Sequence, residues 1–352
     1  MTATAPVVLA IDAMSGDHGL NMAVDAALLA LAEFPVLHLI LVGDQEQLAA
    51  ALKSRKPSAG TLLRISLQHA SEVVAMDESP SKALRNKKDS SMRVAINLVR
   101  DGRAHAVVCA GNTGALMATA KFVLKTLKGI DRPAMISPIP SMNGHVHMLD
   151  LGANAECNAE QLFQFAVMGS ALVTAIYDIA QPKVALLNIG EEEIKGNEII
   201  KQSAQLLQAS KLNYVGFIEG DGVFLRDVDV VVCDGFTGNI ALKTGEGVAK
   251  LIYHFIKQEF TRSAFTKMAA LAAMPALKAL GKRMDPRNYN GASFVGVNGI
   301  VIKSHGSADA QAFLAAIRVA LREVENDVPC RIAALLADAL PELPSAVAAQ
   351  RA

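Results

Sequence analysis

The sequence predicts an α/β fold: a mostly parallel sheet covered by helices on both faces. Three observations point to it. Short β-branched runs ending in Gly or Asp recur along the chain, and segments of helical period separate them. The chain is also 51% hydrophobic and 19% charged, which supplies the apolar residues that strands buried on both faces need.

In order, the strand runs are VVLAID from Val7, LHLILVGD from Leu37, AHAVVCAG from Ala104 and VHMLDLG from Val146. KVALLNIG from Lys183, YVGFIEGDG from Tyr214, VDVVVCDG from Val228 and GIVIKSHG from Gly299 complete them. Between them, Ser90-Ser91 opens a helix that keeps Val94, Ile96, Leu98 and Val99 apolar. AEQLFQFAVMGSALVTAIYDI reads as a long buried helix. NEIIKQSAQLLQASK is amphipathic, with Ile199, Ile200, Ala204 and Leu207 on one face.

From Thr261 to Met284 the alternation stops. This stretch has no acid and carries Arg262, Lys267, Lys278, Lys282 and Arg283 beside an apolar face of Phe265, Met268, Leu271, Leu277 and Leu280. Pro275 should break it into two short helices, and the whole reads as a protruding helical hairpin. The expected organisation is one large α/β body over 1–345 or two joined subdomains, a hairpin insertion at about 258–286, and a tail at 346–352.

The chain of 352 residues carries 34 basic and 34 acidic residues, a balance that argues against bulk nucleic-acid binding. Its four cysteines form no CxxC pair and read as buried, reduced thiols. No signal peptide and no uncharged run of about 18 residues is visible, so neither secretion nor a membrane span is expected.

In such sheets the chemistry collects at the carboxyl ends of the strands. Those ends carry Asp12, Asp44, Gly111-Asn112, Asp150-Leu151-Gly152, Asn188-Ile189-Gly190, Glu219-Gly220-Asp221, Asp234-Gly235 and His305-Gly306, expected together on one rim. Two junctions echo each other: VVCAGNTGAL at Val107–Leu116 and VVCDGFTGNIAL at Val231–Leu242. A glycine turn opening a helix presents backbone N–H groups and the positive end of the helix dipole to an anion. Gly111, Gly114, Gly235 and Gly238 shape these turns, Thr113 and Thr237 add hydroxyls, and Asn112 and Asn239 add amides. The bland alternative is that they are tight turns and N-caps.

IGEEEIKGNE offers Lys195 to a developing oxyanion or a phosphate, or else a solvated lysine. SPSKALRNKKDSSM places Lys82, Arg85, Lys87 and Lys88 before a helix start, for phosphate, an acidic partner, or solvent. IDAMSGDHG carries Asp12, Ser15, Asp17 and His18; it lacks the Gly-x-Gly-x-x-Gly fingerprint. No metal-ligand spacing and no Gly-x-Ser-x-Gly elbow is present.

IDAMSGDHG, CAGNTGALMA, LDLGAN, NIGEEEIKGNE, FIEGDG, DGFTGNIALKTGEG and GVNGIVIKSHGSAD follow one another from Ile11 to Asp309. Together they resemble the bacterial phosphate acyltransferases of phospholipid synthesis. Ser15, where that family usually has glycine, and Leu20, where it often has proline, depart from the pattern. The resemblance implies a fold like phosphotransacetylase and isocitrate/isopropylmalate dehydrogenase, with no cofactor and no metal. It implies transfer of a long-chain acyl group from acyl carrier protein to inorganic phosphate, and hand-over of the acyl phosphate to a membrane glycerol-3-phosphate acyltransferase. It further implies a cytoplasmic homodimer in peripheral contact with the membrane.

Carried onto this chain, Lys195 and Asn239 are the expected catalytic residues. Asp12, His18, Arg85, Gly111, Asn112, Thr113, Gly114, Asn154, Gly235, Thr237, Gly238 and His305 form the expected substrate-binding set. Phe265, Lys267, Leu271, Leu277, Lys278, Lys282 and Arg283 are expected at the membrane or carrier. The rival readings are a metal- and NAD-dependent dehydrogenase on a similar fold, a non-enzymatic membrane scaffold that recruits carrier protein, and a cysteine-based transacylase.

Overall fold

A computed structural model describes residues 6–339, apart from the side chains of residues 282–284, 286 and 339. The expected tail at 346–352 therefore lies outside the described residues, as do the side chains of Lys282 and Arg283.

The first half of the chain alternates β1 (Val7–Asp12), α1 (Gly19–Glu33), β2 (Leu37–Gly43), α2 (Gln45–Arg55), α3 (Ala59–Leu62) and β3 (Ile65–His69). It continues with α4 (Pro80–Asn86), α5 (Ser91–Arg100), β4 (Ala106–Cys109) and α6 (Thr113–Leu124). A hairpin of β5 (Ala134–Ser141) and β6 (Gly144–Leu149) leads into α7 (Ala159–Tyr177), β7 (Val184–Leu187), α8 (Glu198–Gln208), β8 (Tyr214–Ile218), α9 (Gly222–Leu225) and β9 (Val230–Val232). Two long helices, α10 (Gly235–Thr261) and α11 (Ala264–Met284), precede β10 (Ala292–Val295), β11 (Ile300–Lys303), α12 (Ala310–Glu325) and α13 (Val328–Ala339).

All the strands join one sheet in the order β3-β2-β1-β4-β11-β10-β5-β6-β9-β7-β8. The eight expected strand runs are all strands; β3, β5 and β10 are additions. Two of these change the architecture. β10 is antiparallel to both β11 and β5, and β5 is antiparallel to β6. The β3-β2-β1-β4-β11 group and the β6-β9-β7-β8 group are each internally parallel. Three reversals lie between β11 and β6, so the two groups run in opposite directions. The expected single polar rim is thus two rims, at opposite ends of the sheet. Asp12 ends a strand of the first group and Gly111 and His305 follow others; Gly152, Lys195 and Gly235 follow strands of the second.

Strand side chains alternate between the two faces. On β1, Ala10 enters one apolar cluster with Val107, Met92 and Leu116, while Leu9 and Ile11 enter another with Leu31 and Phe313. α5 is capped by Ser90, whose hydroxyl accepts from the Arg93 N–H. α7 buries Phe163 and Phe165 almost completely, the core role its sequence predicts. It is the described helix long and apolar enough to cross a membrane, but 83% of that window is buried inside the fold.

The hairpin differs from its sequence expectation. α10 runs without a break from the second glycine junction, and of its residues only Gly235 and Gly238 are buried. The turn falls at Ser263, which caps α11 reciprocally with Thr266. Pro275 sits inside α11 and does not divide it. The helix continues through Pro275 at a propensity cost of about 3 kcal/mol, and the Leu271 carbonyl that loses its N–H partner lies on an exposed part of the helix, open to water.

Candidate active site

At the first rim, three turns meet. The Asp17 N–H donates to the Gly306 carbonyl at 2.8 Å, and the Ser304 N–H donates to the Cys109 carbonyl at 2.8 Å. Asp12 lies beneath them, buried, accepting from the Ser15 hydroxyl and, at 3.0 Å, from the Cys109 thiol. Its carboxylate ties the turn after β1 to β4. Ser15, the first departure from the family pattern, supplies that bond, and Leu20, the second, packs on the core. Burial holds Lys303 below the ordinary lysine range; its ammonium donates to the carbonyls of Ala110, at 3.4 Å, and Ser304. His18, before α1, is exposed and makes no side-chain cap bond.

The β4–α6 junction combines both readings of its sequence. Asn112 is the N-cap: its carbonyl oxygen accepts from the Ala115 N–H at 2.9 Å, and its amide donates to the carbonyls of Met76 and Glu78 at 2.7 and 3.0 Å. That side chain is therefore committed to the loop and not free for a ligand. Gly114 leaves room for Pro80 of α4, whose Cγ stands 2.8 Å from where a Cβ would be. Gly111 faces Ser15 and Met92 as closely. The N–H groups of Thr113 and Gly114 remain at the helix start. Arg85 is exposed on α4, the helix that packs over α6.

At the second rim, Asp150 organises the loop after β6. Its carboxylate accepts from the N–H groups of Met135, Ala153 and Asn154 and from the Asn154 amide, at 2.6–3.1 Å. Burial nevertheless pushes its pKa up, against those bonds. The amide of Asn154 also donates to the Pro133 carbonyl, and the Asn154 carbonyl accepts from the Gly235 N–H at 2.7 Å. Asn154 thus seats α10. Asp234 caps α10 and accepts from both the N–H and the hydroxyl of Thr237, which commits that hydroxyl as well. Asn239 is exposed and lies against Gly152, whose Cβ position is 3.5 Å from the Asn239 Cβ.

Lys195 belongs to the same rim, since β7 pairs directly with β9. Its stem crosses Gly190, its carbonyl accepts from the Asn188 amide at 3.3 Å, and its ammonium makes no ion pair among the described residues.

The two glycine junctions are not sheet neighbours. Four strands stand between β4 and β9, a separation of about 24 Å along the sheet. α10 joins the two rims instead. Asn239 faces Gly152, and Lys243, one turn later on the same face, brings its Nζ to 3.5 Å from His305 Nε2 at the first rim. Sequence reasoning passed over Lys243, although it lies in the IALKTGEG stretch; a lysine four residues after Asn239 shares its helix face. His305 is held below the usual imidazole range by burial and by the Lys243 charge. Its Nδ1 is 2.9 Å from the Ser307 hydroxyl, and its N–H donates to the Asn290 side chain.

On the hairpin, Phe265 and Leu271 are exposed, as are Lys267 and Lys278, while Leu277 is half-buried.

The mostly parallel sheet covered by helices is the α/β fold shared by phosphotransacetylases and certain dehydrogenases. A phosphotransacetylase from Streptococcus pyogenes matches with a TM-score of 0.62 at 16% identity, over 91% of this chain and 94% of that one. A 4-hydroxythreonine-4-phosphate dehydrogenase from Klebsiella pneumoniae matches with a TM-score of 0.51 at 12% identity, over 91% and 100%. At these identities the likeness is one of fold. A family profile described as "Fatty acid synthesis protein" matches residues 7–331. A protein named phosphate acyltransferase from Methylococcus capsulatus is 59% identical over 330 residues, 94% of this chain and 97% of that protein. One from Legionella pneumophila is 57% identical over 323 residues, 92% and 94%. The chain belongs to the phosphate acyltransferase family, and it is an acyltransferase enzyme.

Proposed function

We propose that this enzyme transfers a long-chain acyl group from acyl carrier protein to inorganic phosphate, giving acyl phosphate and free carrier. The observation that carries the reading is the bridge by α10, which aligns Asn239 and Lys243 between the Gly152 loop and His305. The names of the relatives support phosphate as the acceptor.

Phosphate at neutral pH is already an oxyanion, so attack on a thioester needs no activating triad. The enzyme contributes position and oxyanion stabilisation. In this reading the phosphate sits where α10 brings the two rims together, beside His305 and Lys243, with the N–H groups at the start of α6 and Arg85 drawing it in from the first rim. Asn239 and Lys195 stabilise the charge that develops on the thioester oxygen. Asn154, Asp150, Asn112 and Asp12 hold the loops that present them.

The product is a mixed anhydride, so an acyl acceptor must consume it. A membrane glycerol-3-phosphate acyltransferase is the proposed consumer, which places the enzyme at the cytoplasmic face of the membrane. The exposed apolar residues of α10 and α11 support membrane contact and a homodimer through the same hairpin.

The test is phosphate-dependent release of free carrier from a defined long-chain acyl carrier, with mass detection of acyl phosphate. Release without acyl phosphate, or no release, overturns the reading.

A further inference from the structure

Lys243 stands on α10 where that helix reaches from the second rim to the first. Its ammonium is tethered on two sides, by the Glu246 carboxylate at 3.1 Å and by His305 Nε2 at 3.5 Å. His305 is fixed in turn by Ser307 at Nδ1 and by Asn290 at its N–H. The side chain of Lys243 keeps half its surface open to solvent, so a substrate can reach it. A surface ion pair on a helix needs only Glu246. The second tether, to a residue 62 positions away on the other half of the sheet, holds the ammonium at His305, while Asn239, one turn back on the same helix face, stands against Gly152.

We propose that Lys243 is a catalytic residue for departure of the thiol: its ammonium receives the sulfur that leaves the thioester, and His305 is the positioning residue that aims it. The inference rests on the acyl-thioester reading above. The electron and proton balance is closed. A phosphate oxygen forms the C–O bond, and the tetrahedral oxyanion collapses. The C–S pair then goes to sulfur, and the thiolate takes a proton from the Lys243 ammonium. The hydrogenphosphate carries one proton into the reaction. Once acylated, it gives that proton up to solvent, and the Lys243 amine takes one back. Hydrogenphosphate and thioester thus become acyl phosphate and thiol, with no further reactant.

An alkyl thiol, at least as basic as a cysteine side chain with its pKa near 8.5, is a poor enough leaving group for such help to matter, whereas an acidic aryl thiol needs little. The test compares full-length enzyme on two thioesters of the same long acyl group, one on pantetheine and one on 4-nitrothiophenol, in saturating phosphate. Lys243→Ala and the stem-retaining Lys243→Met should lose about 100-fold in kcat/KM on the pantetheine thioester and less than about 5-fold on the aryl thioester. His305→Ala should show the same selectivity at about 10-fold, and Asn239→Ala should lose equally on both. Equal loss on both thioesters for the Lys243 variants, or no loss on either, overturns the inference while leaving the phosphate transfer in place. A wild-type enzyme that forms no acyl phosphate from either thioester overturns the parent reading, and this inference with it.

Discussion

Gly238 of α10 lies so close to Asp150 that a Cβ added to it would stand 2.0 Å from the Asp150 carbonyl oxygen. The contact is backbone against backbone, so no side-chain rotation relieves it. It sets the depth at which α10 docks, and with it the places of Asn239 and Lys243. Gly238→Ala should destabilise the protein by about 1–3 kcal/mol and lower turnover at least about tenfold, because the helix must lift off the loop. Chemical denaturation and acyl-phosphate formation measure the two effects; an unaltered turnover number would show that the docking depth is irrelevant.

Asn239 and Lys195 occupy adjacent strand ends at the second rim. Removing one oxyanion donor typically costs a factor of about 10² to 10³ in rate. Asn239→Ala should lose that much in kcat with the fold intact by circular dichroism. Lys195→Ala should also lose activity. Full activity in the Lys195 variant would assign it to the solvated loop that its exposure equally allows.

The thiols divide sharply by burial. Cys109 and Cys233 are completely buried, with ionisation pushed well up by desolvation, and Cys157 is raised to about 12. Cys330 is exposed. Native iodoacetamide treatment should label Cys330 alone and leave turnover unchanged. Labelling of a second thiol with matching loss of activity would restore a cysteine nucleophile.

Two buried groups set opposite pH dependences of stability. His147, packed against His145 and Tyr177, is pushed from 6.5 to about 3 by burial. The unfolded chain takes the proton first, so this contribution is complete above about pH 6.5 and falls by about 1.4 kcal/mol per unit below it, some ~2 kcal/mol by pH 5. Glu323, buried and accepting from the Ser293 hydroxyl, is raised from 4.5 to about 7. Here the native state holds the proton, so stability is complete below about pH 4.5 and falls by about 3 kcal/mol as pH rises to 7. Denaturant midpoints of Glu323→Gln should gain relative to wild type at pH 8 and not at pH 4.5. His147→Leu should flatten the acid limb. Parallel curves for variant and wild type would contradict the assignment.

Phe265 and Leu271 are 80% and 69% exposed on a hairpin that carries Lys267 and Lys278. If the hairpin inserts at a lipid surface, Leu271→Glu should abolish flotation with anionic liposomes while the wild type floats. Equal flotation would move the membrane contact elsewhere.

The sequence by itself determined what is local. Short β-branched runs ending in Gly or Asp marked eight of the strands, Ser90 and the glycine turns marked helix starts, and the ordered motifs from Ile11 to Asp309 marked the family. It did not reveal β3, β5 and β10; polar residues interrupt ISLQH and ASFV, and two prolines interrupt AMISPIPS. Strand direction was beyond it altogether, because pairing sense is a relation between segments distant in the chain. The reversals at β10 and β5 turned one expected rim into two, and only the docked helix α10 brought them together again. Likewise, the amide of Asn112 looked like a ligand donor in the sequence, and the family resemblance put Asn154 in the substrate-binding set. Tertiary packing spent them on carbonyls across the loop, since a buried donor must find an acceptor and the fold supplied one nearby.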